Sequence, residues 1–251
     1  MFADIQSSNI VGYTAKDVEQ GKFTLLSAQF DKVGGGRAIN DLLSGVEGVD
    51  FGDGRAFLNT AAQIQVFNGV GYDFYYYLND AWFDNGTVDG DVKAGWADSA
   101  GNLVDAEFDE GAGFWLKSPS SAATPSIAGQ VNEADTATVS CSSGFQLVAN
   151  VFPMAITMNG ASMTSSDIKG VDFGDGRAFL STATQMQVFN GVGYDFYYYL
   201  NDAWFDNGTV DGDVKAGWAD SAGNLVDNII PAMAGFWTKG TSGAFTLKFT
   251  K

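Results

Sequence analysis

Short runs of alternating apolar and polar residues, broken by Gly, Asn and Asp, cover most of this chain. Alternation with a period of two marks half-buried strands, and the breaking residues mark turns. Residues 9–14 and 23–30 predict the first strands. Gly34-Gly35-Gly36 interrupts the chain, and residues 39–43 read as one helical turn. The strongest hairpin signal is residues 63–67, a connection Asn68-Gly69-Val70-Gly71, and residues 72–78. Asn-Gly accepts positive φ at low cost and the aromatic run favours a pleated surface, but a four-residue connection leaves the pairing register open. Residues 95–97 and 103–104 flank the turn 98–102. Residues 113–117 read as a strand, and residues 245–250 alternate cleanly. Helical periodicity is nearly absent.

The pattern then repeats. Residues 49–105 recur as 171–227 at an offset of 122, with 54 of 57 positions identical; the exceptions are Asn59/Ser181, Ala62/Thr184 and Ile64/Met186. Outside this block the likeness fades but the pattern persists: Phe23, Leu25, Leu26 and Phe30 are answered by Phe145, Leu147, Val148 and Phe152, and Gly113–Lys117 by Gly235–Lys239. Such a period in 251 residues predicts an all-β chain built as a tandem pair of similar β-sandwich or β-barrel-like domains, 1–122 and 123–251. Residues 126–131 match the terminal strand when the periods are aligned and also resemble residues 8–14. Two bodies thus carry three copies of one strand-like element. Each body enters and leaves through it, or a terminal copy completes a sheet in a neighbouring molecule through Ile10, Val11 and Tyr13 or Phe245, Leu247 and Phe249.

The charge narrows the partners. Thirty acids against 13 bases give a net charge of -17, a surface that repels phosphate backbones and argues against nucleic acid. No apolar run reaches the length of a membrane span. With no histidine and one cysteine, Cys141, histidine-assisted nucleophiles and the common zinc sites are excluded, as is an internal disulfide framework. A carboxylate-pair glycosidase is open by residue type, since Asp73, Asp80 and Asp84 recur as Asp195, Asp202 and Asp206. A wholly duplicated active site in so small a body is uncommon, so no enzyme is expected. Asp84, Asp89 and Asp91, with Asp206, Asp211 and Asp213, cluster oxygen ligands of the kind calcium takes, without the spacing of an EF-hand loop. Asn85-Gly86-Thr87 and Asn207-Gly208-Thr209 fit the N-glycosylation pattern.

The aromatic residues are the other candidate chemistry. In a strand Phe74 and Tyr76 face one way and Tyr75 and Tyr77 the other. One face enters the core; the other, read as Tyr75, Tyr77 and Trp82 with Tyr197, Tyr199 and Trp204, is a sugar-stacking platform, a subunit contact, or a face covered within its own body. Tyr13-Thr14, Gly21-Lys22-Phe23-Thr24-Leu25-Leu26, Val66-Phe67-Asn68-Gly69, Trp82 and Gly113-Phe114-Trp115-Leu116 resemble uncharacterised exported repeat proteins of Verrucomicrobia-type bacteria. That resemblance implies secretion and supplies no active site. Taken together, the sequence predicts an extracellular or cell-surface structural protein, a filament or surface-layer subunit joined by strand addition into a homo-oligomer or polymer. The alternative is a carbohydrate-binding protein with duplicated aromatic sites and glycans as partners.

Overall fold

The hairpin forms because Asn68 organises its own turn. Its Oδ1 accepts from the backbone N–H of Val70 at 3.2 Å and Gly71 at 2.8 Å, while Gly69 takes a φ of 93°. This fixes the open register at Phe67↔Tyr72, and Asn190 fixes Phe189↔Tyr194 in the same way. The computed structural model describes residues 11–32, 34–52, 56–82, 91–119, 121–174, 178–204, 214–241 and 243–251.

The first half runs β1 (Val11–Ala15), β2 (Phe23–Ser27), β3 (Phe30–Asp31), α1 (Ile39–Leu42), β4 (Leu43–Ser44), α2 (Phe57–Thr60), β5 (Gln63–Phe67), β6 (Tyr72–Trp82), β7 (Val92–Ala97) and β8 (Gly113–Lys117). The middle of the chain forms β9 (Ser126–Val131) and β10 (Thr136–Cys141). Then come β11 (Gly144–Ala149), β12 (Ile156–Thr157), β13 (Met163–Ser166), α3 (Phe179–Thr182), β14 (Gln185–Phe189), β15 (Tyr194–Trp204), β16 (Val214–Ala219), β17 (Ile229–Ile230), β18 (Gly235–Gly240) and β19 (Phe245–Thr250).

Among the described residues, these strands make two five-stranded sheets of matching order, β2-β8-β5-β6-β7 and β11-β18-β14-β15-β16. Two smaller sheets accompany them, β1-β9-β3 with β4 also on β9, and β10-β19-β13; β12 pairs with β17. Each large sheet buries its inner face against a small one. Leu26, Ile64, Trp96, Phe114 and Leu116 meet Phe30 and Ile127 in one core. Val148, Met186, Trp218 and Phe236 meet Val139, Phe245, Leu247 and Phe249 in the other.

The large sheets also meet each other, along β2 and β8 on one side and β11 and β18 on the other. Leu25, Trp115, Leu147 and Trp237 are buried together there. The contact is reciprocal. A Cβ on Gly113 would sit 3.1 Å from Leu147 Cγ and the Val148 carbonyl, and one on Gly235 would sit 2.9 Å from Leu25 Cγ and 3.2 Å from the Leu26 carbonyl. Each glycine therefore lets the other half's backbone come close. The small sheets are joined through residues 132–135, where Asn132 Nδ2 donates to Glu110 Oε1 at 3.0 Å and the Lys251 N–H donates to the Asp135 carbonyl at 3.0 Å. Four sheets thus stand around a common axis as a four-bladed β-propeller.

This corrects the expected tandem of sandwich-like or barrel-like domains, although the all-β character and the internal repeat hold. The reason is that each large sheet is apolar on both faces. Its outer row, with Trp115 or Trp237, is covered by the other half, and Met233 of the second half completes the first half's core. Neither half closes on itself.

The filament expectation is overturned as well. The terminal strand β19 has β10 on one edge and β13 on the other, so no edge is left to donate, and Phe245, Leu247 and Phe249 are buried. At the other end β1 is held by β9 in register from Val11↔Gln130 to Ala15↔Ser126, with Val11 and Tyr13 exposed. Ile10 lies outside the described residues. A closed ring of sheets does not propagate by strand exchange.

Candidate functional site

The register of the large sheets places their outer side chains in rows. In the first, Phe23 pairs with Lys117, Lys117 with Gln63 and Gln63 with Tyr76. The next row is Leu25, Trp115, Gln65 and Phe74, and the third holds Phe67 beside Tyr72. Alternation along each strand puts all of them on the face away from the main core, where Tyr76 is buried in a separate cluster with Phe57 and Leu78. The second sheet repeats the rows as Phe145–Lys239–Gln185–Tyr198, Leu147–Trp237–Gln187–Phe196 and Phe189–Tyr194. Aromatic rings and carboxamides therefore alternate across strands on two matching platforms.

The platforms meet at the seam between the halves. Phe67 stands edge-on to Trp237 at 4.9 Å between centroids, and Phe189 stands edge-on to Trp115 at 5.2 Å. Phe67 also contacts Tyr72, and Phe189 contacts Tyr194, both at 5.6 Å. Such edge-to-face pairs are favourable for the ring quadrupoles. Over the seam lie two open hollows. One, of about 420 Å³, is bounded by Phe23, Gln65, Tyr72, Trp115, Phe189 and Tyr194. The other, of about 330 Å³, is bounded by Phe67, Tyr72, Phe145, Gln187, Tyr194 and Trp237. Tyr72 and Tyr194 border both, so the two hollows adjoin across the seam and together make up a trough.

The trough walls are fixed but not sealed. Trp115 and Trp237 are nearly covered, whereas Phe74 is 42% exposed and Phe196 45%. Burial pushes the Tyr72 hydroxyl above the ordinary tyrosine value, and hydrogen bonding with the Trp115 side chain draws it partly back. Tyr194 behaves alike through burial and Trp237. Both phenols stay neutral at physiological pH and remain able to donate. Gln65 Nε2 donates to Gln63 Oε1 at 3.1 Å, orienting its amide on the platform. Lys117 Nζ lies 5.2 Å from the Phe23 centroid and Lys239 Nζ 5.4 Å from that of Phe145, a cation over each outer ring.

The residues expected to form an aromatic contact face lie elsewhere. Tyr75 and Tyr77 turn inward against the first core, and Tyr197 and Tyr199 against the second. Burial raises the pKa of Tyr75, Tyr197 and Tyr199. Trp82 is half-buried edge-on to Phe51 at 6.4 Å, and Trp204 lines a shallow cavity of about 490 Å³ with Phe173 and Asp202. It is the opposite face of β6 that borders the trough, through Tyr72; Phe74 lies on that same face, its ring 6.4 Å from that of Tyr72.

The acids weighed for catalysis have local partners. Asp73 and Asp195 accept from Asn68 and Asn190 in the hairpin turns, at 3.0 and 2.9 Å. Asp80 and Asp202 accept from the backbone N–H of Phe51 and Phe173, at 2.6 and 2.7 Å. Of the calcium candidates, Asp91 is exposed, while Asp84, Asp89, Asp206, Asp211 and Asp213 lie outside the described residues, as do both glycosylation patterns. Among the described residues no group of three or more His, Cys, Asp or Glu converges as a metal site, and no helix is long and apolar enough to cross a membrane.

Sequence reasoning passed over Phe23, Gln65, Phe67, Trp115 and Lys117 as site residues. The signal was present: outside the identical block, Phe23, Trp115 and Lys117 still recur at the 122-residue offset as Phe145, Trp237 and Lys239. No protein-family model, curated protein or solved structure matches this chain.

Proposed function

We propose that this protein binds carbohydrate in the trough between its two large sheets. The observation that carries the reading is the cross-strand pair Gln65–Phe74 beside the covered Trp115, with its copy Gln187–Phe196 beside the covered Trp237. A pyranose ring has apolar C–H faces and a rim of hydroxyls. It is matched by an aromatic surface that takes the face and amides beside it that exchange hydrogen bonds with the rim. Gln65 and Gln187 supply both a donor and an acceptor at the spacing of adjacent strands, and the neutral phenols of Tyr72 and Tyr194 add two more hydroxyls where the platforms join. The trough is two open, adjoining hollows, which suits a chain of sugars rather than a buried monosaccharide.

The test is binding of the purified full chain to a glycan array, followed by calorimetry on the hits. Phe74→Ala/Phe196→Ala, changes at exposed positions, are expected to weaken binding at least tenfold with the melting temperature little altered. Absence of any glycan bound at millimolar concentration, or binding indifferent to the double change, overturns the reading.

A further inference from the structure

Resting on the carbohydrate reading, we infer that the preferred ligand is an acidic saccharide, with its uronate carboxylates taken up by Lys117 and Lys239. Both lysines sit half-buried in the outermost row of their platform, each over a phenylalanine ring. Neither forms an ion pair among the described residues. Of the described cations, Arg37, Lys117 and Lys239 are the half-buried ones, and of these Arg37 alone has a carboxylate partner, in Asp31 and Glu110. Among the described residues no acid borders either hollow, whereas the Phe23 and Phe145 rings beneath the two lysines border one each. A partly desolvated ammonium is stabilised by an anion, and the described residues along the trough supply none.

The spacing fits. Lys117 and Trp115 lie two residues apart on one strand, so the cationic row runs about 7 Å from the stacking row. A sugar lying on Gln65 and Phe74 can project its exocyclic carboxylate toward Lys117, and Lys239 repeats the arrangement. The overall negative charge of the protein opposes approach from a distance, but it is screened beyond about 8 Å at physiological ionic strength. Contact with the lysines is local, and the faces that adjoin them carry Gln63 and Gln185 rather than acids.

The experiment compares hexasaccharides of galacturonate and mannuronate with their fully methyl-esterified forms, by calorimetry at 0.15 M salt. Esterification removes the charge and keeps the ring and linkage. The uronate should bind at least tenfold more tightly than its ester, and in Lys117→Gln/Lys239→Gln this ratio should fall to about one. Lys117→Arg/Lys239→Arg, which keeps both charges, should keep the preference. Equal affinity for uronate and ester, a ratio unmoved in the glutamine variant, or binding confined to neutral glycans overturns the acidic-ligand inference and leaves the carbohydrate reading in place. If no glycan of any charge binds, both fall together.

Discussion

The two halves reach the same backbone conformation at Gly111 and Met233, 122 residues apart, and use it differently. Both are left-handed, with φ of 73° and 59°. At Gly111 a Cβ would overlap Val139 of the second core, so only glycine fits. At Met233 the side chain is 2% exposed and completes the first core, filling space despite a conformation that L-residues rarely adopt. Ile64 and Met186 differ in the same way, each buried against its own small sheet. On the outer face the halves agree: Phe23 and Phe145, Gln65 and Gln187, Trp115 and Trp237, Lys117 and Lys239. A reciprocal contact requires each surface to complement its own copy, which holds the outer faces alike. The inner faces answer to small sheets of different sequence, so they are free to diverge.

The sharpest way to break this comparison is at the seam. Trp115→Ala should cost about 3–5 kcal/mol in urea unfolding, and Trp237→Ala should cost the same to within about 1 kcal/mol, because the surroundings are copies. Unequal losses would mean that the contact is not reciprocal. Next comes the position where the halves disagree. Met233→Ala should cost about 2–4 kcal/mol by emptying its site, whereas Gly111→Ala should cost about 1–3 kcal/mol by the opposite route, overpacking.

A smaller effect separates the two core tryptophans. Trp218 Nε1 donates to Ser165 Oγ at 3.1 Å, while Trp96 Nε1 is buried without a partner. Ser165→Ala should therefore cost about 1–2 kcal/mol and make the second half resemble the first. Smallest at neutral pH is the contribution of Cys141. Burial pushes its thiol from 9.0 up to about 11. A raised value means that the folded state holds the proton longer, so this stability is complete below pH 9 and is lost as pH rises toward 11. Native protein should be inert to a thiol reagent at pH 8 and react after unfolding. Cys141→Ala should flatten part of the alkaline decline, leaving the part due to the buried tyrosines.

Local order was legible in the chain; the pairing of faces was not. The Asn68 turn, the strand at Gly113–Lys117 and the alternation of Phe245, Leu247 and Phe249 are readable because each depends on neighbours in sequence. That β19 has partners on both edges depends on β10 and β13, more than 75 residues away. The tyrosine run shows the same limit. Alternation divides Tyr72 and Phe74 from Tyr75 and Tyr77, but both sets are aromatic and neither looks more suited to solvent. What decides between them is the core on one side and the other half of the chain on the other. The trough draws on positions 23, 65, 115 and 189, a grouping made only by the docking of the halves. Its trace in the sequence is the retention of Phe, Trp and Lys in flanks that otherwise drift apart.

Because the seam joins two copies carried on one polypeptide, the event that assembles the trough is unimolecular. A pair of separate subunits would come apart on dilution; here the tether keeps each copy at a high effective concentration near the other. The surface of the trough therefore persists however sparse the protein becomes.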